Sequence, residues 1–264
     1  MFANERKAKI IEILHDKGAA TTVSISRMLN VSVETVRKDL LTLEHSGELL
    51  RVHGGAVIPG RNRVYENLDK RQLEHADEKR ELAETAAMFV SEGDVIAVDS
   101  GSTAVAFAEA LVKRFSKLTV ITHSADVFEI ISRQSDFELI LCGGNYLKSE
   151  NAFYGIFASR VLSDLHAEKA FVFPSAISLK RGITDHQPQL VEMQKLLFSN
   201  ASKVFVLADS SKFEKSALYK LSDTLEKFVY ISDSTMSVEL KCLYQNSDIR
   251  IVTNAEDVKE IEQI

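Results

Sequence analysis

The chain has 264 residues, 45% hydrophobic and 27% charged, which is enough apolar material for one large or two small domains. It holds no apolar run of the ~18 residues a membrane span needs, no secretory signal at its N-terminus, and only Cys142 and Cys242, which excludes a disulfide framework and fits a reducing cytoplasm. The net charge of −6 argues against indiscriminate nucleic-acid binding, but residues 1–60 carry eight Lys/Arg against seven Asp/Glu, and the remainder 24 against 31.

Ile10, Ile13 and Leu14 mark an apolar stripe on a first helix that stops near Gly18, with Arg6, Lys7 and Lys9 at its start. Ile25, Met28 and Leu29 repeat the stripe on a second, shorter helix. Asn30-Val31 is a tight turn, and Ser32 is the predicted N-cap of a third helix, its hydroxyl accepting an otherwise unpaired backbone N–H. On that helix Val33, Val36, Leu40 and Leu43 fall on one face, which is expected to be buried. Glu34, Lys38, Leu41 and His45 fall opposite, with Arg37 on one flank and Thr35 and Thr42 on the other. An ordinary surface helix shows the same spacing. Two short helices and a tight turn, the second offering Thr, Arg and Lys outward, read as a helix-turn-helix for double-stranded DNA.

After Gly47, residues 48–52 read as a strand, His53-Gly54-Gly55 as a turn and residues 56–58 as the return. Such a wing, with Arg51 and His53 near its tip, can reach the phosphate backbone or a minor groove; His53 reads equally well as a turn residue held by packing. The expected DNA contacts are Thr21, Thr22, Ser32, Val33, Glu34, Thr35, Arg37, Lys38, Arg51 and His53. Arg6, Ile10, Leu14, a gap of seventeen residues, and Ser32-x-x-Thr35-Val36-Arg37-Lys38-Asp39-Leu40 together resemble the helix-turn-helix signature of the DeoR family of bacterial transcription regulators. Leu43-Glu44, Gly47 and Arg51-Val52-His53-Gly54-Gly55-Ala56 extend the resemblance through that family's wing.

Pro59-Gly60-Arg61-Asn62 then breaks the periodicity, and the polar stretch to Asp77 has Tyr65, Leu68 and Leu73 as its main apolar points. We read a DNA-binding domain at residues 1–57, a partly helical linker at 58–78, and a second domain at 79–264. Glu78-Lys79 resembles the DeoR family's entry into that domain.

Apolar, β-rich runs follow at residues 95–99, 118–122, 137–143, 169–174, 204–209, 228–232 and 249–252, separated by helical stretches such as 79–90, 104–115 and 189–200. This alternation predicts an α/β fold with a largely parallel sheet and helices on both faces. Ligands in such folds bind beyond the carboxyl ends of the strands. The first such loop is Asp99-Ser100-Gly101-Ser102-Thr103, leading into a helix N-terminus that suits an anion. Asp99 would repel phosphate and suits sugar hydroxyls; a plain turn with Ser102 as helix cap is the alternative. Next come Thr122-His123-Ser124, with Ser124 an N-cap, and Gly143-Gly144 followed by Lys148. Residues 174–176 lead toward 182–184, and Asp209-Ser210-Ser211-Lys212-Phe213 closes the set. Lys212 can neutralise a phosphate or be a solvated surface lysine.

Asp99-Ser100-Gly101-Ser102-Thr103, Gly143-Gly144 and Asp209-Ser210-Ser211-Lys212-Phe213 also resemble the DeoR family sensor domain, which shares its fold with ribose-5-phosphate isomerase, glucosamine-6-phosphate deaminase and the CoA transferases. The resemblance implies a phosphorylated sugar or polyol as effector, with phosphate near residues 101–103, and Lys195 as a basic position on the next helix. His123, Glu168 and Ala176 depart from the family's usual residues; if the last position requires positive φ, alanine is strained there. The expected effector set is Asp99, Ser100, Gly101, Ser102, Thr103, His123, Ser124, Gly143, Gly144, Lys148, Lys195, Asp209 and Lys212. Cys142 ends an apolar strand and reads as structural. No His/Cys cluster has metal spacing, and no cofactor is implied. A regulator working as a homodimer or homotetramer is the leading reading. A sugar-phosphate isomerase or deaminase on the same fold is the alternative, with Asp99, Asp185 and His186 as its candidate acid/base groups, and a regulator whose sensor no longer binds a ligand is a third reading.

Overall fold

The computed structural model describes residues 3–17, 19–46, 48–52, 55–57 and 68–262. The chain divides into two compact units, Met1–Glu66 and Asn67–Ile264.

The first unit contains helices α1 (Ala3–Lys17), α2 (Thr22–Leu29) and α3 (Val33–His45) and strands β1 (Ala19–Thr21), β2 (Leu50–Val52) and β3 (Gly55–Val57). The strands form an antiparallel sheet ordered β1-β3-β2. Ile10, Leu14, Ile25, Val36, Leu40, Leu43, Leu49 and Ala56 form its core, so three of the four residues assigned to the inner face of α3 are buried and Val33 is half-buried. Ser32 caps α3 by accepting the backbone N–H of Thr35 at 3.1 Å. Asn30, with φ 52°, makes the left-handed turn between α2 and α3, a conformation that asparagine tolerates. Asp39 lies in α3 yet is buried. Its carboxylate takes a two-pronged pair from Arg6, Nε at 2.5 Å and Nη2 at 3.0 Å, which fastens α1 to α3. Strand β1 was not legible in sequence, because three residues of Ala-Ala-Thr carry no strand pattern.

The second unit opens with α4 (Leu68–Leu73) and α5 (Ala76–Ala87). Leu68 is buried and α5 packs into the core of this unit. Residues 68–78, read as linker, are therefore the first layer of the α/β body, while residues 58–67 lie outside the described residues. Then follow β4 (Val95–Val98), α6 (Ser102–Arg114), β5 (Thr119–Thr122), α7 (Ala125–Gln134), β6 (Glu138–Leu141), β7 (Asn145–Leu147), β8 (Ala152–Tyr154) and α8 (Ile156–Ser163). The chain continues through β9 (Ala167–Val172), β10 (Ala176–Ser178), β11 (Gly182–Asp185), α9 (Pro188–Ser199), β12 (Ala201–Leu207), β13 (Tyr219–Ser222), β14 (Val229–Ile231), α10 (Val238–Gln245), β15 (Arg250–Val252) and α11 (Ala255–Glu262).

The seven apolar runs become one seven-stranded, wholly parallel sheet, ordered β15-β14-β12-β9-β4-β5-β6. Alternate side chains feed two cores. Ile96, Val98, Phe171 and Phe205 pack under α5, α6, α7 and α11; Ala97, Ala170, Val172 and Val206 pack under α8, α9 and α10. Phe171 stacks on Phe205 with ring centroids 5.0 Å apart, and Phe107 of α6 closes on Phe171 at 4.4 Å. A second sheet, β10-β11-β13, and the β7–β8 hairpin are antiparallel additions at the margin.

Candidate functional site

On α3, Glu34, Arg37 and Lys38 are exposed, and Thr35 stands beside Ser32 with their hydroxyl oxygens 2.8 Å apart. Among the described residues Arg37 pairs with Glu34, at 3.2 Å, in a solvent-exposed pair that costs little to break. The outward surface of α3 therefore presents Arg37 and Lys38 as available cations. Thr22 is a correction to the expected set: it is buried at the start of α2, facing the protein rather than outward. Thr21 is paired with Gly55 in the small sheet, and Arg51 with Ala56. His53 and Gly54 lie outside the described residues.

In the second unit, β4, β5, β9 and β12 end at one sheet edge and deliver Asp99, His123, Phe173 with Ser175, and Asp209. Asp99 is fully buried. Its Oδ1 lies 2.9 Å from His123 Nε2, and its Oδ2 accepts the backbone N–H of Phe173 at 3.2 Å and Gln194 Nε2 at 3.1 Å. Three bonds leave this carboxylate at most one lone pair for a ligand. The expectation that Asp99 mainly holds sugar hydroxyls is thus revised: Asp99 organises its neighbours. His123 Nδ1 lies 3.0 Å from the Phe153 carbonyl, which can only accept. The Phe153 carbonyl and the Asp99 carboxylate thus hold the two ring nitrogens of His123 from either side.

The Gln194 amide group also donates to Asp185 Oδ2 at 3.2 Å, so one NH2 bridges two buried carboxylates. Asp185 further accepts the N–H groups of Ser175 at 3.1 Å, His186 at 2.6 Å and Gln187 at 3.1 Å, which locks residues 175 and 185–187 together. Around this frame Ser100 Oγ, Thr103 Oγ1, Ser175 Oγ and Gln194 Oε1 are buried with no hydrogen-bond partner among the described residues. A buried polar atom left unpaired costs on the order of 1–3 kcal/mol. Three hydroxyls and one amide oxygen held this way suit a ligand rich in hydroxyl and oxyanion groups.

Gly101 precedes α6 with φ 122°, a conformation glycine accepts freely, which turns the first N–H groups of the helix toward this loop. Ser102 is the first residue of α6 and not its cap. Ser124 caps α7, accepting the Val127 N–H at 3.3 Å. Gly144 is required by packing, since a Cβ there would stand 2.6 Å from the Tyr154 carbonyl; Gly143 is half-buried beside it. Lys148 is exposed on the loop after β7. Lys195 is exposed while its neighbour Gln194 turns inward, so the basic position expected in the pocket is a glutamine one residue away. Of the three departures, His123 is built into the site. Glu168 is exposed, and Ala176 lies in β10 outside the left-handed residues, so no strain arises there.

A cationic wall comes from Arg71, in the stretch read as linker, and from Lys79, at the start of the second domain. Arg71 pairs with buried Glu150 at 2.6 Å, and Glu150 also accepts from Gln187 at 3.1 Å. Burial raises the Glu150 carboxyl above its ordinary range. Lys79 is buried and donates to the carbonyls of Arg71 and Glu74. Asp233 accepts the Ser210 N–H at 2.6 Å and so fixes the turn that carries Lys212, whose ammonium lies 3.8 Å from Asp209. Burial would raise the Asp209 carboxyl, but Lys212, Ser211 and Lys79 outweigh it and the net shift is downward. Lys79 is lowered from 10.5 to about 8, by burial first and by the charge of Lys212 second.

The sign has two consequences. Protonated Lys79 penalises the folded state below about 8, and that penalty fades as pH climbs toward 10.5. An anion beside Lys79 favours its ammonium form, so anion affinity should fall as pH rises through about 8. Calorimetric titration with sulfate, whose charge is constant from about pH 7 to about pH 9, is expected to show that decline; a flat profile would place the anion elsewhere. Sequence alone missed Arg71, Lys79, Glu150 and Gln194, and it placed Ser175 in the fourth loop without including it in the expected effector set. Among the described residues no group of three or more His, Cys, Asp or Glu side chains could hold a metal ion, and no helix is long and apolar enough to cross a membrane.

Residues 74–234 match the DeoR C terminal sensor domain, and residues 6–62 the DeoR-like helix-turn-helix domain. The chain is 30% identical to the HTH-type transcriptional regulator GolR of Listeria innocua serovar 6a, over 95% of this chain and 98% of that one. It is 34% identical to the lactose phosphotransferase system repressor of Lactococcus lactis, over 81% of this chain and 85% of that one. Among solved structures it is similar to ribose 5-phosphate isomerase A of Methanocaldococcus jannaschii, with TM-score 0.40, 18% identity and 58% of each chain covered.

Proposed function

The chain belongs to the DeoR family of transcription regulators, and we propose that it represses a cytoplasmic sugar or polyol utilisation operon until a phosphorylated sugar or polyol releases it. The helix-turn-helix makes duplex DNA its partner, and the sensor domain makes a small molecule its effector. The observation that carries the effector class is the set of buried atoms on Ser100, Thr103, Ser175 and Gln194 that have no hydrogen-bond partner among the described residues, on the loops and helix that Asp99 and Asp185 tie together. In our reading, phosphate sits at residues 100–103 on the N-terminus of α6 with Lys212 supplying charge, and hydroxyls meet Ser175 and Gln194. A helix-turn-helix reads only a half-site, so the working form is a homodimer or homotetramer joined through the α/β unit. Selection of genomic fragments at moderate salt is expected to enrich one site through α3. If no fragment is enriched over random DNA, the DNA half of this reading is wrong.

One observation favours catalysis instead. Asp99 Oδ1 and His123 Nε2 are buried 2.9 Å apart, the spacing of an acid/base pair. Against it, both groups are already held by internal bonds, His123 by the Phe153 carbonyl and Asp99 by Phe173 and Gln194. We expect no turnover of pentose or hexosamine phosphates by the purified chain. Isomerase or deaminase activity that persists through purification and disappears on Asp99→Asn would establish the enzyme reading.

A further inference from the structure

Helix α8 does not look like a surface helix. Its inner face buries Ala158, Ser159 and Leu162, as expected. Its outer face carries Ile156, 77% exposed, Phe157, 73% exposed, and Val161, 40% exposed. A helix apolar on both faces is ordinarily buried on both. The β7–β8 hairpin runs into α8 through Gly155 and adds Tyr146, which is 52% exposed and packs on Phe153 at 5.5 Å. Arg160 and Asp164 lie one turn apart beside this face, both exposed, and neither side chain has an ion-pair partner among the described residues.

We propose that the outer face of α8 is where a second copy of this chain docks about a twofold axis. The inference rests on the reading above, in which DNA modules act in pairs and the chain must therefore meet its own copy. The face is suited to that partner. A twofold contact buries the same patch on both sides, so Ile156, Phe157 and Val161 meet their equivalents, and each Arg160 can find the opposite charge of an Asp164 from the other copy. Ile156, Phe157 and Val161 supply an apolar centre of the kind that an interface of roughly 800 Å² per partner requires. The placement also bears on regulation. α8 rests on α9, with Ser159 Oγ 3.6 Å from Met193 Sδ, and the next residue is the Gln194 that reaches the pocket. A ligand that shifts Gln194 acts on the helix under the interface.

Light scattering on the full chain tests this. Wild type should run as a dimer or larger, Phe157→Asp should fall to half that mass or less, and Val238→Asp, a substitution at an equally exposed apolar residue on α10, should not. Circular dichroism and melting of each variant show whether it is folded. Should Phe157→Asp unfold, Phe157→Cys in a Cys242→Ser background should give an interchain disulfide under mild oxidation. A monomeric wild type overturns the paired reading itself. A wild-type oligomer that survives Phe157→Asp, or that gives no cross-link at Phe157→Cys, overturns the assignment of α8 alone. So does a Phe157→Asp chain that stays oligomeric but loses operator binding, because the face would then serve the DNA unit.

Discussion

Lys212→Ala is expected to bind operator nearly as well as wild type while losing the effector response. The turn that carries Lys212 is held from below by Asp233, through the Ser210 N–H at 2.6 Å and the Ser210 hydroxyl at 3.1 Å, so removing the ammonium leaves the turn in place. The ammonium itself is half-buried and only loosely paired with Asp209 at 3.8 Å. A partly desolvated cation with a distant counter-ion gains most from a phosphate that arrives beside it. Lys212 lies in the second unit and Arg37 in the first, so basal DNA affinity should not depend on it. A ligand changes DNA affinity only through its different affinity for the competent and incompetent arrangements, and such coupling commonly spans ~5–150-fold. Fluorescence anisotropy of labelled operator, with and without effector, measures both quantities on one chain. If Lys212→Ala weakens operator binding as much as Arg37→Ala, the division of labour between the two units is wrong.

Arg37→Ala should cost ~1–3 kcal/mol of specific binding if its guanidinium reads a guanine edge, and should relax selectivity at that one base pair. The side chain is exposed on α3 and its 3.2 Å pair with Glu34 is solvated, so it can swing to DNA at little cost. Lys38→Ala should weaken binding to all sequences alike and lower the salt dependence by about one phosphate. The core side of the helix, Val36, Leu40 and Leu43, is untouched by either change, so melting of the first unit should not move. Equal losses on specific and random DNA for Arg37→Ala would reduce it to a phosphate contact.

The parts legible in sequence are those that local pattern dictates. Strands of a parallel sheet covered on both faces are continuous apolar runs, which is why residues 95–98 and 204–207 could be read as strands. β10, β11 and β13 are short and antiparallel, and their register depends on partners far away in the chain. Loops after strands declared themselves through Gly, Ser, Thr and Asp, so Asp99, Ser100, Thr103, His123, Asp209 and Lys212 could be assigned to strand-end loops from the sequence. Gln194 was missed by one residue. Adjacent helical positions point ~100° apart, so Lys195 turns to solvent when Gln194 faces the pocket. Arg71 and Lys79 sit in a charged stretch that looks like solvated surface until α4 and α5 fold onto the sheet and bring them to Glu150 and Lys212. Composition cannot show that a charge run has become one wall of a site.

The central claim is that a phosphorylated ligand in the α/β unit governs DNA affinity. Its most direct measurement is the operator affinity of the full chain with and without a phosphorylated sugar or polyol whose binding calorimetry has already established. The account predicts a change of ~5–150-fold that Lys212→Ala abolishes. Bound ligand with unchanged operator affinity would contradict it.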